Sequence, residues 1–290
     1  MRTDKIVGPA ARNLLFVLAI LFFGLPIVWL LLAPTKTTNG LQYMPPMAFG
    51  SFQQLGISAS NLFGYDNGII WTWALNSVWY TALSLAVSLS VAVPAGYALA
   101  KLPFKGSNVV LFVTLLTMIV PSAALILPLY LEMSAFNLTN TPWSVILPLT
   151  FHPFGVYLIY LYAKASVPDS IIEAARLDGC SEFGIMMRIF VPLAWPAIAM
   201  VAFFGFVGAW NAFFLPFIML NDQSLATLQT GLQILVSSTG AISGGNPSSV
   251  PIHAPEVALA AIVSILPILM VFLFAQRYLV AGQTAGAEKG

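Results

Sequence analysis

Very few side chains in this sequence could carry bond chemistry. The 290 residues include one cysteine, Cys180, which excludes an internal disulfide and a Cys-rich metal site. No His, Cys and carboxylate cluster has metal-ligand spacing, and Gly-x-x-x-x-Gly-Lys-Ser/Thr is absent, so the chain carries no P-loop for ATP. His152, beside Pro153, stands alone, and a lone histidine more often packs than ligates. The residues that do form a pattern suit recognition rather than catalysis. Glu173-Ala174-Ala175-Arg176-Leu177-Asp178-Gly179 is followed, after nine residues, by Ile189-Phe190-Val191-Pro192. Ser170 and Glu173 have the Ser-x-x-Glu spacing of a capping box, which predicts a helix start satisfying two orphan backbone N–H groups. Ala174 and Ala175 form helix without bulk, so another protein's surface can come close. Gly179 after Asp178 predicts a helix end in the left-handed region. Ser181 can cap a second short helix running towards Phe190, and Pro192 leads out of it.

The elements that position this pattern must be apolar. The chain is 59% hydrophobic and only 7% charged, with a mean hydropathy of +0.90, whereas a soluble domain carries roughly 25% charged residues. Lipid must cover much of it. Six apolar segments are long enough to cross about 30 Å of hydrocarbon: Leu14–Ala33, Trp71–Ala98, Val109–Tyr130, Trp143–Ala163, Leu193–Leu220 and Val257–Gln276. Each is too long for a membrane strand, so the fold class is an all-α bundle of six transmembrane helices in one domain, 1–290. The first run, of about 20 residues, exceeds a signal-peptide core of roughly 7–15, and is read as an uncleaved span after Arg2, Lys5 and Arg12. Prolines at 26, 94, 121, 128, 148, 153, 216 and 267 punctuate the spans and suit helices that bend.

Lys and Arg set the orientation. With the N-terminus inside, the inner segments hold Arg2, Lys5, Arg12, Lys101, Lys105, Lys164, Arg176, Arg188, Arg277 and Lys289, and the outer side holds Lys36. That asymmetry predicts an N-in, C-in topology and puts the loop at about 164–192 in the cytoplasm. Outer loops are expected at about 34–70 and 221–256, neither of them a separate folded domain. The central portions of the spans contain no Asp, Glu, Lys or Arg. This opposes an ion-coupled secondary transporter, and the missing catalytic constellation opposes an intramembrane enzyme. Ser77, Thr81, Ser84 and Ser88 recur on one helical face, where small residues pack helices or line a path. Trp210 and Asn211 offer an aromatic face and an amide that suit a sugar, although packing explains them equally.

The Glu173–Pro192 spacing resembles the EAA loop of ABC importer permeases. Asn76-Ser77, Ala95-Gly-Tyr-Ala-Leu-Ala-Lys-Leu-Pro-Phe-Lys-Gly106, Ala209-Trp-Asn-Ala-Phe-Phe-Leu-Pro-Phe217 and the stretch from Gln276 to Gly290 extend the likeness to the sugar-importer branch, the shorter permease of maltose-type systems. Ala212 stands where an acidic residue often follows Trp-Asn, and Gln283 and Glu288 stand where the family's tail is often apolar. The resemblance implies a type I importer half-channel, most simply for a carbohydrate, with glycerol phosphate, a polyol or an acidic oligosaccharide as alternatives. It implies a second permease, two cytoplasmic ATPases that bind ATP and Mg while this chain binds no cofactor, and an external substrate-binding protein. Glu173, Ala174, Ala175, Asp178, Gly179, Ile189 and Pro192 would meet the ATPase, with the tail after Arg277 nearby. Trp210, Asn211, Ser77, Thr81 and Ser84 would face the path. Gly240, Gly244, Gly245 and Asn246 would lie in a loop that contacts the binding protein. The chain itself would perform no bond chemistry and no nucleic-acid binding.

Overall fold

The computed structural model describes residues 9–102, 104–239 and 252–284. Every regular element among them is helical. The first elements are α1 (Pro9–Leu32), α2 (Thr38–Tyr43), α3 (Phe52–Gly64) and α4 (Ile69–Lys101). The middle of the chain forms α5 (Ser107–Ile119), α6 (Ile126–Ala135), α7 (Trp143–Thr150), α8 (Pro153–Ser166), α9 (Asp169–Leu177) and α10 (Glu182–Ile185). A π-helical stretch, Met186–Phe190, then leads into α11 (Val191–Leu193) and α12 (Trp195–Trp210), followed by α13 (Phe214–Met219), α14 (Leu228–Ser238) and α15 (Ala254–Thr284).

Four stretches are long and apolar enough to cross a membrane outright: Ala11–Thr35, Phe52–Lys101, Trp143–Ser166 and Ala254–Gln276. Two bent pairs bring the number to six when each pair counts as one span. Ser107–Ile119 and Ser122–Ala135 meet at 98°, and Glu182–Leu193 meets Trp195–Trp210 at 79°. The third apolar segment, Val109–Tyr130, is therefore no straight rod. Pro121 lacks the N–H a continuing helix needs and pushes Val120 into extended backbone (φ −70°, ψ 122°). The fifth segment, Leu193–Leu220, is likewise interrupted between Trp210 and Phe214.

The chain divides into two compact units, 1–71 with 232–265 and 72–231 with 266–290. In the first unit, the expected outer loop after residue 34 is largely helical. Ser51 caps α3 by accepting from the Gln54 N–H at 3.0 Å. Lys36 is buried, and its ammonium donates to the carbonyls of Pro45 and Pro46 at 3.0 and 2.9 Å. Asn61 donates to the Glu256 carboxylate at 3.1 Å, and the other oxygen of Glu256 accepts from the His253 N–H at 3.0 Å.

The second unit is held by two apolar clusters. One gathers Val93 and Tyr97 of α4, Ile159 and Ala163 of α8, Ile172 and Ala175 of α9, Ile185 of α10, Phe190, and Ala197 and Val201 of α12. The other gathers Tyr80 of α4, Met133 of α6, Val145 and Ile146 of α7, and Met219 and Leu220 at the end of α13. Close backbone approach is what lets α4 and α8 meet. A Cβ on Gly96 would lie 2.6 Å from the side chain of Ile159.

Candidate functional site

The 169–193 segment folds as a helical hairpin seated on the cluster around Ile159, Ile185 and Phe190. Its sequence signals act in part as expected. Gly179 takes φ +79°. Its N–H donates to the Arg176 carbonyl and the Cys180 N–H to the Ala175 carbonyl, both at 3.0 Å. Those two bonds form a Schellman motif, which satisfies carbonyls left over at the end of α9. Ser181 caps α10 by accepting from the Gly184 N–H at 3.2 Å. The Ser170–Glu173 capping box does not form. Extended Pro168 (φ −64°, ψ 136°) hands the chain directly to a helix starting at Asp169, so Ser170 lies inside the first turn and no side chain caps it.

Asp169 serves a different purpose. Lys101, at the end of α4, donates to the Asp169 carboxylate at 2.5 Å and to the Val167 carbonyl at 2.7 Å. Arg176 then pairs with Glu182 at 2.6 Å and donates to the Lys101 carbonyl at 3.1 Å. Glu182 also accepts from the Tyr97 hydroxyl at 2.9 Å. Two short helices are thus bound to each other and to the end of a long one. The hydrogen bond from Arg176, aided by that from Tyr97, holds the Glu182 carboxyl below its ordinary value. The Lys101 ammonium does the same for Asp169.

The hairpin has two faces. Ile172, Ala175, Ile185 and Phe190 are buried in the cluster. Glu173, Ala174, Asp178 and Gly179 are exposed, as is Pro192, while Ile189 is half-buried. Ala175 therefore seats the helix on its own chain, whereas Ala174 lies on the outer face. That outer face also carries Leu177, 89% exposed, and Phe183, 70% exposed. Sequence reasoning passed over both. The helical period from buried Ile172 and Ala175 would have placed Leu177 outside.

A cleft of about 650 Å³ opens farther along the same helices. Its walls come from α4 (Leu85, Ser88), α12 (Gly205, Gly208) and the three helix interruptions, at Ser122 and Ala123, at Phe151 and His152, and at Ala212 and Phe213. Ser88 lies 13 residues before Lys101, about 20 Å along a helix rising 1.5 Å per residue. The cleft is therefore set at about the middle of α4, between the two clusters. Among the described residues no Asp, Glu, Lys or Arg lines it.

The residues expected to face a path are distributed differently. Ser77 accepts from the Leu228 N–H at 2.7 Å, and Ser84 donates to the Tyr80 carbonyl at 2.7 Å. Both are buried, as is Thr81. Trp210 is buried and stacks on Phe206 with 5.7 Å between ring centres. Asn211 is exposed, with its amide donating to the Val207 carbonyl at 3.0 Å. Of the serine stripe, Ser88 alone lines the cleft. The second expected outer loop contains α14, whose neighbourhood is tied to α4 by Trp73 donating to the Gln223 carbonyl and Asn76 to the Ser224 and Ala226 carbonyls. Gly240, Gly244, Gly245 and Asn246 lie outside the described residues.

Residues 92–284 match the family described as binding-protein-dependent transport system inner membrane component. The chain belongs to this family. It is 36% identical over 226 residues to the arabinooligosaccharides transport system permease protein AraQ of Halalkalibacterium halodurans, covering 78% of this chain and 76% of that one. With AraQ of Bacillus subtilis it shares 30% identity over 289 residues, 97% of this chain and 95% of the relative. Its fold superposes with a TM-score of 0.78, at 23% identity and over 96% and 98% of the two chains, on a subunit of a bacterial ABC transporter involved in the import of the acidic polysaccharide alginate. This binding-protein-dependent permease is a multi-pass inner membrane protein with the importer-permease fold.

Proposed function

We propose that this permease forms one half of the path of an ATP-driven importer for a neutral oligosaccharide. In this reading, its 169–193 hairpin faces the cytoplasm and docks on a separate ATPase. The carrying observation is the hairpin itself. A charged, doubly capped pair of helices is fixed to α4, α8 and α12 on one face, and presents Leu177 and Phe183 on the other. Exposed apolar groups in a polar setting mark interaction surfaces. The mean hydropathy of the chain leaves few segments to meet water, and the Lys and Arg asymmetry supports a cytoplasmic side for this one. A partner that moves the hairpin moves three spanning helices with it. A second permease, two ATPases that bind ATP and Mg, and the binding protein complete the assembly.

The substrate reading has two supports. The relatives named above transport arabinooligosaccharides. The cleft offers aromatic rings from Phe151, Phe204 and Phe213 beside small residues and no fixed charge, which suits C–H faces and hydroxyls and gives no cation for a phosphate or a carboxylate. The chain contributes no catalytic group and no cofactor site to this scheme. Leu177→Glu tests the docking role. It places a charge on an exposed side chain, so the folded permease should accumulate normally. ATPase co-purification and oligosaccharide uptake should both fall at least tenfold, about 1.4 kcal/mol of docking energy. Unchanged co-purification and uptake would overturn the reading.

A further inference from the structure

Two buried polar side-chain atoms have no hydrogen-bond partner among the described residues, the Ser88 hydroxyl and the His152 Nδ1. Both residues line the 650 Å³ cleft, and both also line a neighbouring one of about 330 Å³. Buried polar atoms are paired in the great majority of cases, so two orphans lining one cleft from different helices call for a ligand that comes and goes. Ser88 is 4% exposed and cannot be relieved by open solvent. Its stripe neighbours Ser77 and Ser84 spend their hydroxyls on the protein, at the Leu228 N–H and the Tyr80 carbonyl. Ser88 does not, although Ser84, one turn away, shows that a helical carbonyl is within reach of such a hydroxyl.

His152 is held in place by sparse surroundings. It stands at the N-cap of α8, at the interruption that follows α7, and its side chain caps nothing. A Cβ at Gly155 would come within 3.1 Å of Nδ1, and one at Gly205 within 3.5 Å. Two glycines on different helices therefore leave room for the ring. Phe154 packs 6.1 Å from the imidazole centre, and Phe204 packs edge-on against Phe154. The imidazole can donate from one nitrogen and accept at the other, and the serine hydroxyl can do both.

We infer that Ser88 and His152 form a hydroxyl-binding subsite for a neutral sugar ring passing through the cleft. The inference rests on the cleft being the path. A sugar hydroxyl is both donor and acceptor, so it can satisfy either orphan, while the rings of Phe151 and Phe204 cover the apolar faces of the sugar. Absence of fixed charge keeps the hold weak enough for release, which a transport site requires.

The test uses the whole importer, purified through a tag on this chain, placed in nanodiscs and trapped with ATP and vanadate in the presence of the binding protein. The probes are radiolabelled arabinotriose, maltotriose, diacetylchitobiose and digalacturonate. Sugar retained per complex is counted for wild type, Ser88→Ala, Ser88→Thr, His152→Leu and His152→Gln. The proposal expects a neutral probe to be retained. Retention should drop about fivefold in Ser88→Ala and in His152→Leu, the net loss of one ordinary hydrogen bond to a bound hydroxyl. Thr and Gln, which keep hydrogen-bonding groups, should restore most of it. Monodisperse complex with normal ATPase subunit content excludes misfolding.

A second arm separates this idea from the path reading. In a Cys180→Ser background, Ser122→Cys is exposed to a charged thiol reagent through the ATP cycle. Labelling in some state, with Ser88→Ala and His152→Leu retaining sugar as wild type does, would leave the path and overturn the subsite in favour of bound water. Absence of labelling in every state would overturn the path reading and the subsite with it. Retention of digalacturonate alone, or of no probe, would also overturn the proposal.

Discussion

Glu182 has two distinct bonds to make, one within the 169–193 hairpin and one from the hairpin to α4. One oxygen meets Arg176 across the turn and the other meets the Tyr97 hydroxyl of α4. The Arg176 bond most of all depresses its pKa from the ordinary 4.5; burial opposes it, and the Tyr97 bond adds a smaller lowering. A carboxyl whose folded pKa lies below its unfolded one stabilises the fold at pH above the unfolded value, and loses that effect as pH falls through the folded one. Asp169 behaves in the same way beside Lys101, from an ordinary 3.8. Amide-exchange protection across 170–185, corrected for intrinsic rates, should therefore be flat from about pH 8 to about pH 5 and fall below about pH 4. Glu182→Gln should lower protection at neutral pH and flatten the acid fall. An unchanged pH profile in that variant would show that Glu182 does not link the two helices. Gly179 is simpler. A branched side chain at φ +79° costs roughly 1–2 kcal/mol, so Gly179→Leu should loosen the hairpin and reduce ATPase co-purification and uptake together. This glycine and the Ser181 cap were legible because each satisfies a local backbone need. The Ser170 box was not, because a proline two residues earlier starts the helix and Asp169 is drawn to Lys101, 68 residues away in sequence.

At the scale of elements, apolar length was readable and straightness was not. The six runs mark where the chain is greasy. Where a run breaks depends on which prolines fall where neighbours tolerate a bend. Pro26 and Pro94 lie inside unbroken helices, while Pro121 coincides with the 98° bend. The helices between residues 34 and 70 were missed for a related reason. Phe52–Gly64 mixes apolar and polar residues too evenly to stand out beside the spans, and its cap, Ser51, is visible only once the helix is suspected. Helix contact makes a further claim testable. Gly96 admits the side chain of Ile159 and the backbone of Tyr160 against α4. Gly96→Val should force the two helices apart at a cost of about 1–3 kcal/mol, seen as a lower unfolding temperature in detergent. Gly208, which has nothing within 4 Å of its would-be Cβ, should accept alanine with no change in that temperature. Equal unfolding temperatures for both variants would show that the α4–α8 approach does not limit stability.

For the whole molecule, the energy source follows from where charge is and is not buried. Ion-coupled carriers need a titratable or ion-coordinating group deep in the bilayer, exposed in turn to each side. Among the described residues, Lys36 and Glu256 are buried whole, and the Lys101 side chain is buried against Asp169 of the hairpin. All three are occupied by protein partners. Lys36 is closed over by two proline carbonyls in the segment after α1. Glu256 stands in the first turn of α15 and reaches back three residues to the His253 N–H, as the acid of a capping box does, while Asn61 holds its other oxygen. None of the three lines the cleft, whose walls carry only serine, histidine and apolar groups. His152 could exchange a proton with a path, so the distinction has to be made by experiment. The importer should be reconstituted in liposomes with ATP supplied on the hairpin side and the binding protein on the other, and proton and sodium gradients collapsed with ionophores. Oligosaccharide uptake should continue at an unchanged rate. It should stop when ATP is replaced by a non-hydrolysable analogue, and His152→Gln should leave the insensitivity to ionophores intact even where it slows uptake. Uptake that ceases with the gradients while ATP is present would assign this chain to ion coupling, and would make His152 the first residue to suspect.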